Sequence, residues 1–191
     1  MMSKGNLYVF TGPSGTGKGT ILKKVMEADA RVQLSVSATT RSPRPNEENG
    51  VHYWFLKKEE FLSKIDTGAF LEHACYVGNY YGTPEGPVNE QLRAGYDVVL
   101  EIEVQGALQV REKRPDAVMI FVVPPSFAEL ESRLRGRGTE TEEKVLARIE
   151  AARGELDQVD RFDYIVVNDD LQTAIEDVKA IFRAERCRNR R

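Results

Sequence analysis

Between the apolar run Leu7–Thr11 and a helical pattern over Ile21–Ala28 lies the segment Gly12-Pro13-Ser14-Gly15-Thr16-Gly17-Lys18-Gly19-Thr20. A strand that hands over to a helix through such a loop presents backbone N–H groups, and the helix adds the positive end of its dipole. Glycine permits the positive φ angles and the close approach that wrapping a polyphosphate demands. Lys18, at the end of the loop, can reach the β- and γ-phosphates of a nucleotide held there. Gly19 stands where Ser or Thr commonly supplies a hydroxyl for Mg²⁺, and Thr20 comes one residue late.

The rest of the chain fits an α/β reading. Leu7–Phe10, Val98–Ile102, Val118–Val123 and Tyr164–Val167 are continuous apolar runs bounded by Gly, Pro, Asp or Asn. Continuous apolarity, without alternation, belongs to strands covered on both faces of a parallel sheet. Helical patterns separate the runs: Gln105–Glu112; Ser126–Arg135, opened by the capping pair Ser126 and Glu129; Thr141–Val159, with Val145, Ile149 and Leu156 on one stripe; and Leu171–Cys187, with Ile175, Val178 and Phe182 on another. Val36–Tyr96, rich in aromatics, Gly and Pro, is expected to be a small, partly β insertion after the second core strand. The last nine residues carry five arginines and are expected to be a solvated tail.

Composition excludes several classes. A chain of 191 residues can bury a full core without disulfides or metal. The net charge of −3 speaks against a dedicated nucleic-acid binder. No apolar run approaches the roughly 18 residues of a membrane span, and the N-terminal residues lack the apolar stretch of a signal peptide. Cys75 and Cys187 are too few for a disulfide scaffold and wrongly spaced for a zinc knuckle, so both are expected to be reduced thiols in a cytoplasmic protein. His52 and His73 cannot supply a multi-histidine metal site; with Cys75 and Trp54 they are expected to be packing or surface residues.

Two further groups of residues carry chemistry. Glu101 and Glu103 end the run Val98–Ile102 and are expected on one face of a strand, where ligands bind in open parallel sheets. Arg41 and Arg44 sit on a loop stiffened by Pro43 and Pro45, and two guanidinium forks suit a phosphate monoester. Tyr53 and Tyr81 can add hydroxyl donors. Glu72 can accept from guanine N1–H and N2–H₂, with the Ser37 and Thr83 hydroxyls serving O6. Leu134–Thr139 breaks a helical pattern with Gly136 and Gly138, as a hinged loop does.

On Gly12–Thr20, Ser37–Arg44, Asn49–Tyr53, Gly78–Thr83, Glu101–Gly106, Arg137–Glu140 and Val166–Asp169, the chain resembles the guanylate kinases, in particular the bacterial ones. The resemblance runs from the first strand to the last. It implies a P-loop kinase fold: a central parallel sheet flanked by helices, a partly β nucleoside-monophosphate-binding insertion and a mobile lid. The implied division of the single domain is core over 1–35, 84–132 and 159–191, GMP-binding region over 36–83, and lid with its following helix over 133–158. The implied activity is ATP-dependent phosphorylation of GMP, and of dGMP, with Mg²⁺ as cofactor. Gly12 to Thr20 and Asn168 would bind ATP. Ser37, Arg41, Arg44, Tyr53, Glu72, Tyr81, Thr83 and Glu103 would bind GMP. Lys18, Arg41, Arg133, Arg137 and Arg148 would act on the transferring phosphoryl group, and Glu101 would lie in the outer shell of the metal. Glu103 replaces the Asp more frequent in the family. Two other readings stay open: a non-catalytic protein-binding module of the same family, and a same-fold kinase for another phosphorylated acceptor. The intact loop with Lys18 argues against the first, and Glu72 with Ser37 and Thr83 against the second.

Overall fold

The structure, a computed structural model, describes residues 4–136 and 141–189. Its elements in chain order are β1 (Leu7–Thr11), α1 (Lys18–Ala28), β2 (Val32–Leu34), β3 (Ala38–Thr39), β4 (Trp54–Phe55), α2 (Lys58–Asp66), β5 (Phe70–Tyr76), β6 (Asn79–Pro84), α3 (Glu85–Arg93), β7 (Asp97–Glu101), α4 (Val104–Lys113), β8 (Val118–Val123), α5 (Phe127–Arg135), α6 (Glu142–Leu156), β9 (Tyr164–Val167) and α7 (Leu171–Cys187).

The core is a five-stranded sheet in the order β2-β7-β1-β8-β9, and every pairing in it is parallel. All residues of β1 are buried, because helices cover both faces. On one face, Tyr8, Phe10, Ile120 and Val122 meet Ile21, Leu22 and Val25 of α1 and Ala174, Val178 and Phe182 of α7. On the other, Leu7, Val9, Leu100 and Met119 meet Val88 and Leu92 of α3 and Ala107 and Val110 of α4. The continuous apolar runs of β1, β7 and β8 follow from this two-sided cover, whereas the expected cover of Tyr164–Val167 is not found: β9 is an edge strand, and Ile165 and Val167 are exposed. Connections leave β1 toward β2 on one side, and later cross to β8 and β9 on the other. The loops after β1 and β7 therefore open into the crevice where such sheets bind ligands.

Ala38–Pro84 carries a second sheet, β4-β3-β6-β5, in which β3 and β4 are parallel and β6 pairs antiparallel with both β3 and β5. Its own small core holds Phe61 and Phe70, stacked 4.4 Å apart. The expected insertion over Val36–Tyr96 is thus shorter than the composition suggests: α3 belongs to the main core. Two helices inside that span, α2 and α3, escape the sequence patterns. α2 has one buried anchor, Phe61. α3 opens Glu85-Gly86-Pro87, residues that read as a turn; a proline in the first helical turn is tolerated because its missing N–H has no partner there.

α5 and α6 pack on each other through Leu130, Leu134, Val145, Ile149 and Ala152. Ala152, not the expected Leu156, continues the buried stripe of α6. Gly136 closes α5, and the rest of the expected hinge, with Arg137, lies outside the described residues. No helix among the described residues is long and apolar enough to cross a membrane.

The C-terminal arginines are not all solvated. Arg186 Nε donates to Asp97 Oδ2 at 2.6 Å and Nη1 pairs with Asp29 at 2.7 Å, while the backbone N–H of Asn6 donates to Asp97 Oδ1. Asp97 is fully buried at the start of β7, so this contact ties the end of α7 to the sheet. Arg186→Leu removes the partner of a buried carboxylate. It is expected to destabilise the fold by about 3–5 kcal/mol in urea unfolding; a loss under about 1 kcal/mol would show that the pair behaves as a surface contact.

Candidate active site

The loop after β1 is stiff before any ligand arrives. The Thr16 hydroxyl donates to the Pro13 carbonyl at 2.9 Å, and Lys18 Nζ donates to the Gly12 and Pro13 carbonyls at 2.5 and 2.9 Å. Gly17 caps α1 with φ 86°, and a Cβ there would stand 2.4 Å from Asn168 Nδ2. That nitrogen donates to the Thr16 carbonyl at 2.7 Å, and the Asn168 backbone N–H donates to the Val123 carbonyl. The Asn168 side chain, expected at the ATP site, is buried against the loop and holds its shape. Gly12, at φ 140°, leaves no room for a Cβ against the Val122 carbonyl, 2.2 Å away. Ser14, Gly19 and Thr20 are exposed along the loop and first helical turn.

The two expected acidic residues separate. β7 ends at Glu101, and Glu103 lies at the N-cap of α4 with φ −73° and ψ 160°. They do not share a strand face, because the chain turns into α4 between them. Glu101 faces the loop: a Cβ on Gly19 would be 3.8 Å from its Oε1. Burial pushes the Glu101 carboxyl above the usual range, and the charge of Lys18 opposes the shift. Glu155 of α6 behaves alike, raised by burial and by Glu103 and lowered by Lys18. The charge of Lys18 therefore acts on carboxylates from both β7 and α6.

Glu72, on β5, is buried, and the Thr83 hydroxyl of β6 donates to its Oε1 at 2.7 Å. Burial raises its carboxyl; the Thr83 bonds oppose this and the Glu103 charge adds to it. Glu103 is thus the electrostatic link between the second sheet and the crevice at Lys18. Ser37 is half-buried just before β3, and its carbonyl accepts from the Trp54 backbone N–H.

Arg41 lies over the Tyr53 ring, 5.5 Å from its centroid, and Tyr53 meets Tyr81 edge-on at 6.3 Å. The expected arginine, tyrosine and tyrosine cluster is therefore assembled. It contains one residue the sequence reading missed. Glu47 takes Arg41 Nη1 and Nη2 in a two-point pair, each at 2.9 Å, and also accepts from the Arg44 backbone N–H at 2.7 Å. Pro43, Pro45 and a left-handed Asn46 at φ 72° turn the loop so that this carboxylate returns to Arg41. A carboxylate just past a Pro and Asn turn, near an expected anion-binding arginine, was the available signal. The end-on edge of the Arg41 fork is held by Glu47, Nη1 also donates to the Ser42 carbonyl at 2.8 Å, and a side-chain hydrogen bond joins Arg41 to Tyr81. The Arg44 side chain is exposed at the same loop.

Arg133 Nε donates to Glu129 at 2.8 Å and its Nη1 to the Asn168 carbonyl at 3.1 Å, so α5 touches the strand end that clamps the loop. Arg148 is half-buried on α6. Arg135 bonds Glu131 and Glu142 on the exposed surface of α5 and α6. His52 and Cys75 take no part in the cluster: His52 Nδ1 accepts from the Glu48 backbone N–H, and Cys75 is exposed.

A glycine-rich loop between a parallel strand and the start of a helix, set in the crevice of the sheet, gives this molecule a P-loop fold. Comparison with known proteins narrows the class. The family model described as guanylate kinase matches residues 4–185. A guanylate kinase of Halalkalibacterium halodurans is 50% identical over 188 residues, 98% of this chain and 92% of that one. One of Streptococcus thermophilus is 52% identical over 189 residues, covering 98% and 90%. The crystal structure of guanylate kinase from Anaplasma phagocytophilum superposes with a TM-score of 0.74 at 30% identity, covering 99% of this chain and 90% of that one. The chain belongs to the guanylate kinase family and is a phosphotransferase.

The Arg41 guanidinium and the Arg44 N–H hold the Glu47 carboxyl well below the usual range, from 4.5 to about 2. The pair therefore stabilises the loop above the ordinary carboxylate pKa, and the contribution disappears as pH falls through the lowered one. In an NMR titration the Glu47 carboxyl signal is expected to stay flat down to about pH 3. A midpoint at the ordinary carboxylate value would contradict the pair.

Proposed function

We propose that this chain transfers the γ-phosphoryl group of ATP to the phosphate of GMP, giving ADP and GDP, and that dGMP is also accepted. The observation that carries the base assignment is Glu72: a buried carboxylate with one oxygen fixed by Thr83, across from an intact phosphate loop. Guanine presents two donors, N1–H and N2–H₂, to such an acceptor, and the Ser37 hydroxyl would serve O6, since the single proton of the Thr83 hydroxyl goes to Glu72. Adenine would set its bare N1 lone pair against the carboxylate.

ATP phosphates lie in the Gly12–Thr20 loop at the start of α1, and Lys18 exchanges its two carbonyl partners for phosphate oxygens. The GMP phosphate is held by Arg41, Arg44, Tyr53 and Tyr81, with Glu47 keeping the Arg41 fork aimed. Glu103 stands between the two substrates. Arg133, Arg137 and Arg148 act on the charge that spreads over the phosphoryl oxygens during in-line transfer. The acceptor is ionised at neutral pH, so neither a general base nor a covalent enzyme intermediate is required; positioning and charge stabilisation carry the reaction.

A divalent ion fits this site as a companion of the nucleotide. The only carboxylate beside Gly19 in the described contacts is Glu101, and no group of three or more His, Cys, Asp or Glu among the described residues could hold a metal ion alone. Glu101 would hold Mg²⁺ through water while ATP oxygens supply the direct ligands, and the bound ion neutralises phosphate charge. The two cysteines are free thiols, in keeping with a cytoplasmic enzyme.

ADP release measured with ATP and each of GMP, AMP, CMP and UMP tests the reading, and GMP is expected to lead AMP in kcat/KM by a thousandfold or more, on the order of what paired buried groups enforce. Glu72→Gln is expected to collapse that preference while leaving the KM for ATP nearly unchanged. An undiminished preference in this variant would move guanine reading elsewhere. Lys18→Ala is expected to lower kcat at least about a hundredfold in a folded protein, and near-normal turnover would remove the loop from the chemistry.

A further inference from the structure

We propose that Gly106 and Gln109 on α4 are positioning residues for base recognition, which fix the edge strand β5 against the core and so set where the Glu72 carboxylate stands. The inference rests on the reading of Glu72 as the guanine acceptor.

β5 is an edge strand of the second sheet, paired on one side only, by β6. Its register shifts between Phe70 and Glu72. Such an irregularity re-aims a side chain but weakens the ladder around it, and an edge strand has no second neighbour to compensate. α4 takes that neighbour's place. Gln109 Nε2 donates to the His73 carbonyl at 3.0 Å, and Gln109 Oε1 accepts from the His73 N–H at 3.1 Å. One side-chain amide thus supplies the pair of bonds an adjoining strand would make, at the residue next to Glu72. On the other side of the irregularity, Lys113 Nζ donates to the Phe70 carbonyl at 2.8 Å. Residues 106, 109 and 113 recur at helical spacing, so a single stripe of α4 faces β5.

Gly106 completes the stripe by its lack of a side chain. A Cβ there would stand 2.8 Å from Glu72 Oε2 and 3.3 Å from its Cδ. Thr83 fixes one carboxylate oxygen by a hydrogen bond, and the bare backbone at Gly106 leaves the space the other occupies. A methyl group at this position would push the carboxylate aside, not break the helix, since alanine is the better helix former. The stripe lies on the same helix whose N-cap is Glu103, so base position and the crevice are set by one rigid element.

The test compares Gly106→Ala, Gln109→Met, Gln109→Glu and Glu72→Gln in the full chain, reading KM for GMP, KM for ATP, the GMP-over-AMP preference and the thermal midpoint. Gly106→Ala and Gln109→Met are expected to raise the KM for GMP tenfold or more, with the KM for ATP within twofold and Gly106→Ala close to the parent in thermal midpoint. Gln109→Glu is expected to raise the KM for GMP at least as far as Gln109→Met, because it keeps the bond accepted from His73 N–H but sets its second carboxylate oxygen against the His73 carbonyl oxygen. If both Gly106→Ala and Gln109→Met leave the KM for GMP within threefold while Glu72→Gln loses guanine preference, the positioning role is overturned and the base reading stands. Equal rises in both KM values would overturn it too, since the effect would then be a general loss of structure. If Glu72→Gln keeps its guanine preference, the underlying reading itself fails, whatever the α4 variants do.

Discussion

The bond from Asn168 Nδ2 to the Thr16 carbonyl joins the two ends of the molecule's logic. One partner follows β9, the last strand; the other lies in the loop that follows β1. An orphaned carbonyl in a buried loop is costly, so satisfying it fixes the loop's path. Gly17 completes the arrangement, since only a residue without Cβ can sit under that amide at φ 86°. The loop can then offer its N–H groups outward in a fixed pattern, and preorganised donors stabilise charge without rearranging. Everything expected of ATP binding depends on this clamp being in place before the nucleotide arrives.

In the proposed function the second sheet has a different task, to hold a planar base and a phosphate at fixed separation from the loop. Its rigid parts are the Arg41–Glu47 pair at one end and the Glu72–Thr83 pair at the other. The main sheet supplies the loop and Glu101 from neighbouring strands, and α4 spans the gap between the sheets. Glu103 at the start of α4 influences both Glu72 and Glu155, so the charges of three elements are coupled across the crevice. A transfer between two polyanions needs such a balance: cations to gather the phosphates, and carboxylates to offset the repulsion among those cations.

Much of this was legible in the chain. Strands covered on both faces announce themselves as unbroken apolar runs, which is why Val118–Val123 matches β8 to the residue; Tyr164–Val167 matches β9 as well, although that edge strand leaves Ile165 and Val167 exposed. The phosphate loop is legible because φ > 0 and close approach leave glycine as the economical choice. The grouping of Arg41, Tyr53 and Tyr81 could be read from residue type, and the fold brings the three together; the acceptor role given to them belongs to the proposed function. Other features depend on tertiary contacts with no local signature. Glu101 and Glu103 look like one strand face until the start of α4 separates them. Arg186 looks like part of a basic tail until Asp97 is found buried beneath it. Gly106 is an ordinary helix residue in sequence, and its role is visible only when Glu72 is brought against it from 34 positions earlier. Glu47 and Gln109 are polar residues in polar surroundings, and only the folded chain shows what they hold.

The central claim is that loop geometry, set by Gly17 against Asn168, creates the nucleotide-phosphate site. Its most direct test is calorimetric binding of ATP and of GMP, separately, to Gly17→Ala. The account predicts a folded protein that binds GMP as the parent does and binds ATP at least about a hundredfold more weakly, the order expected from displacing preorganised phosphate donors. ATP affinity within threefold of the parent, in a folded variant, would contradict it.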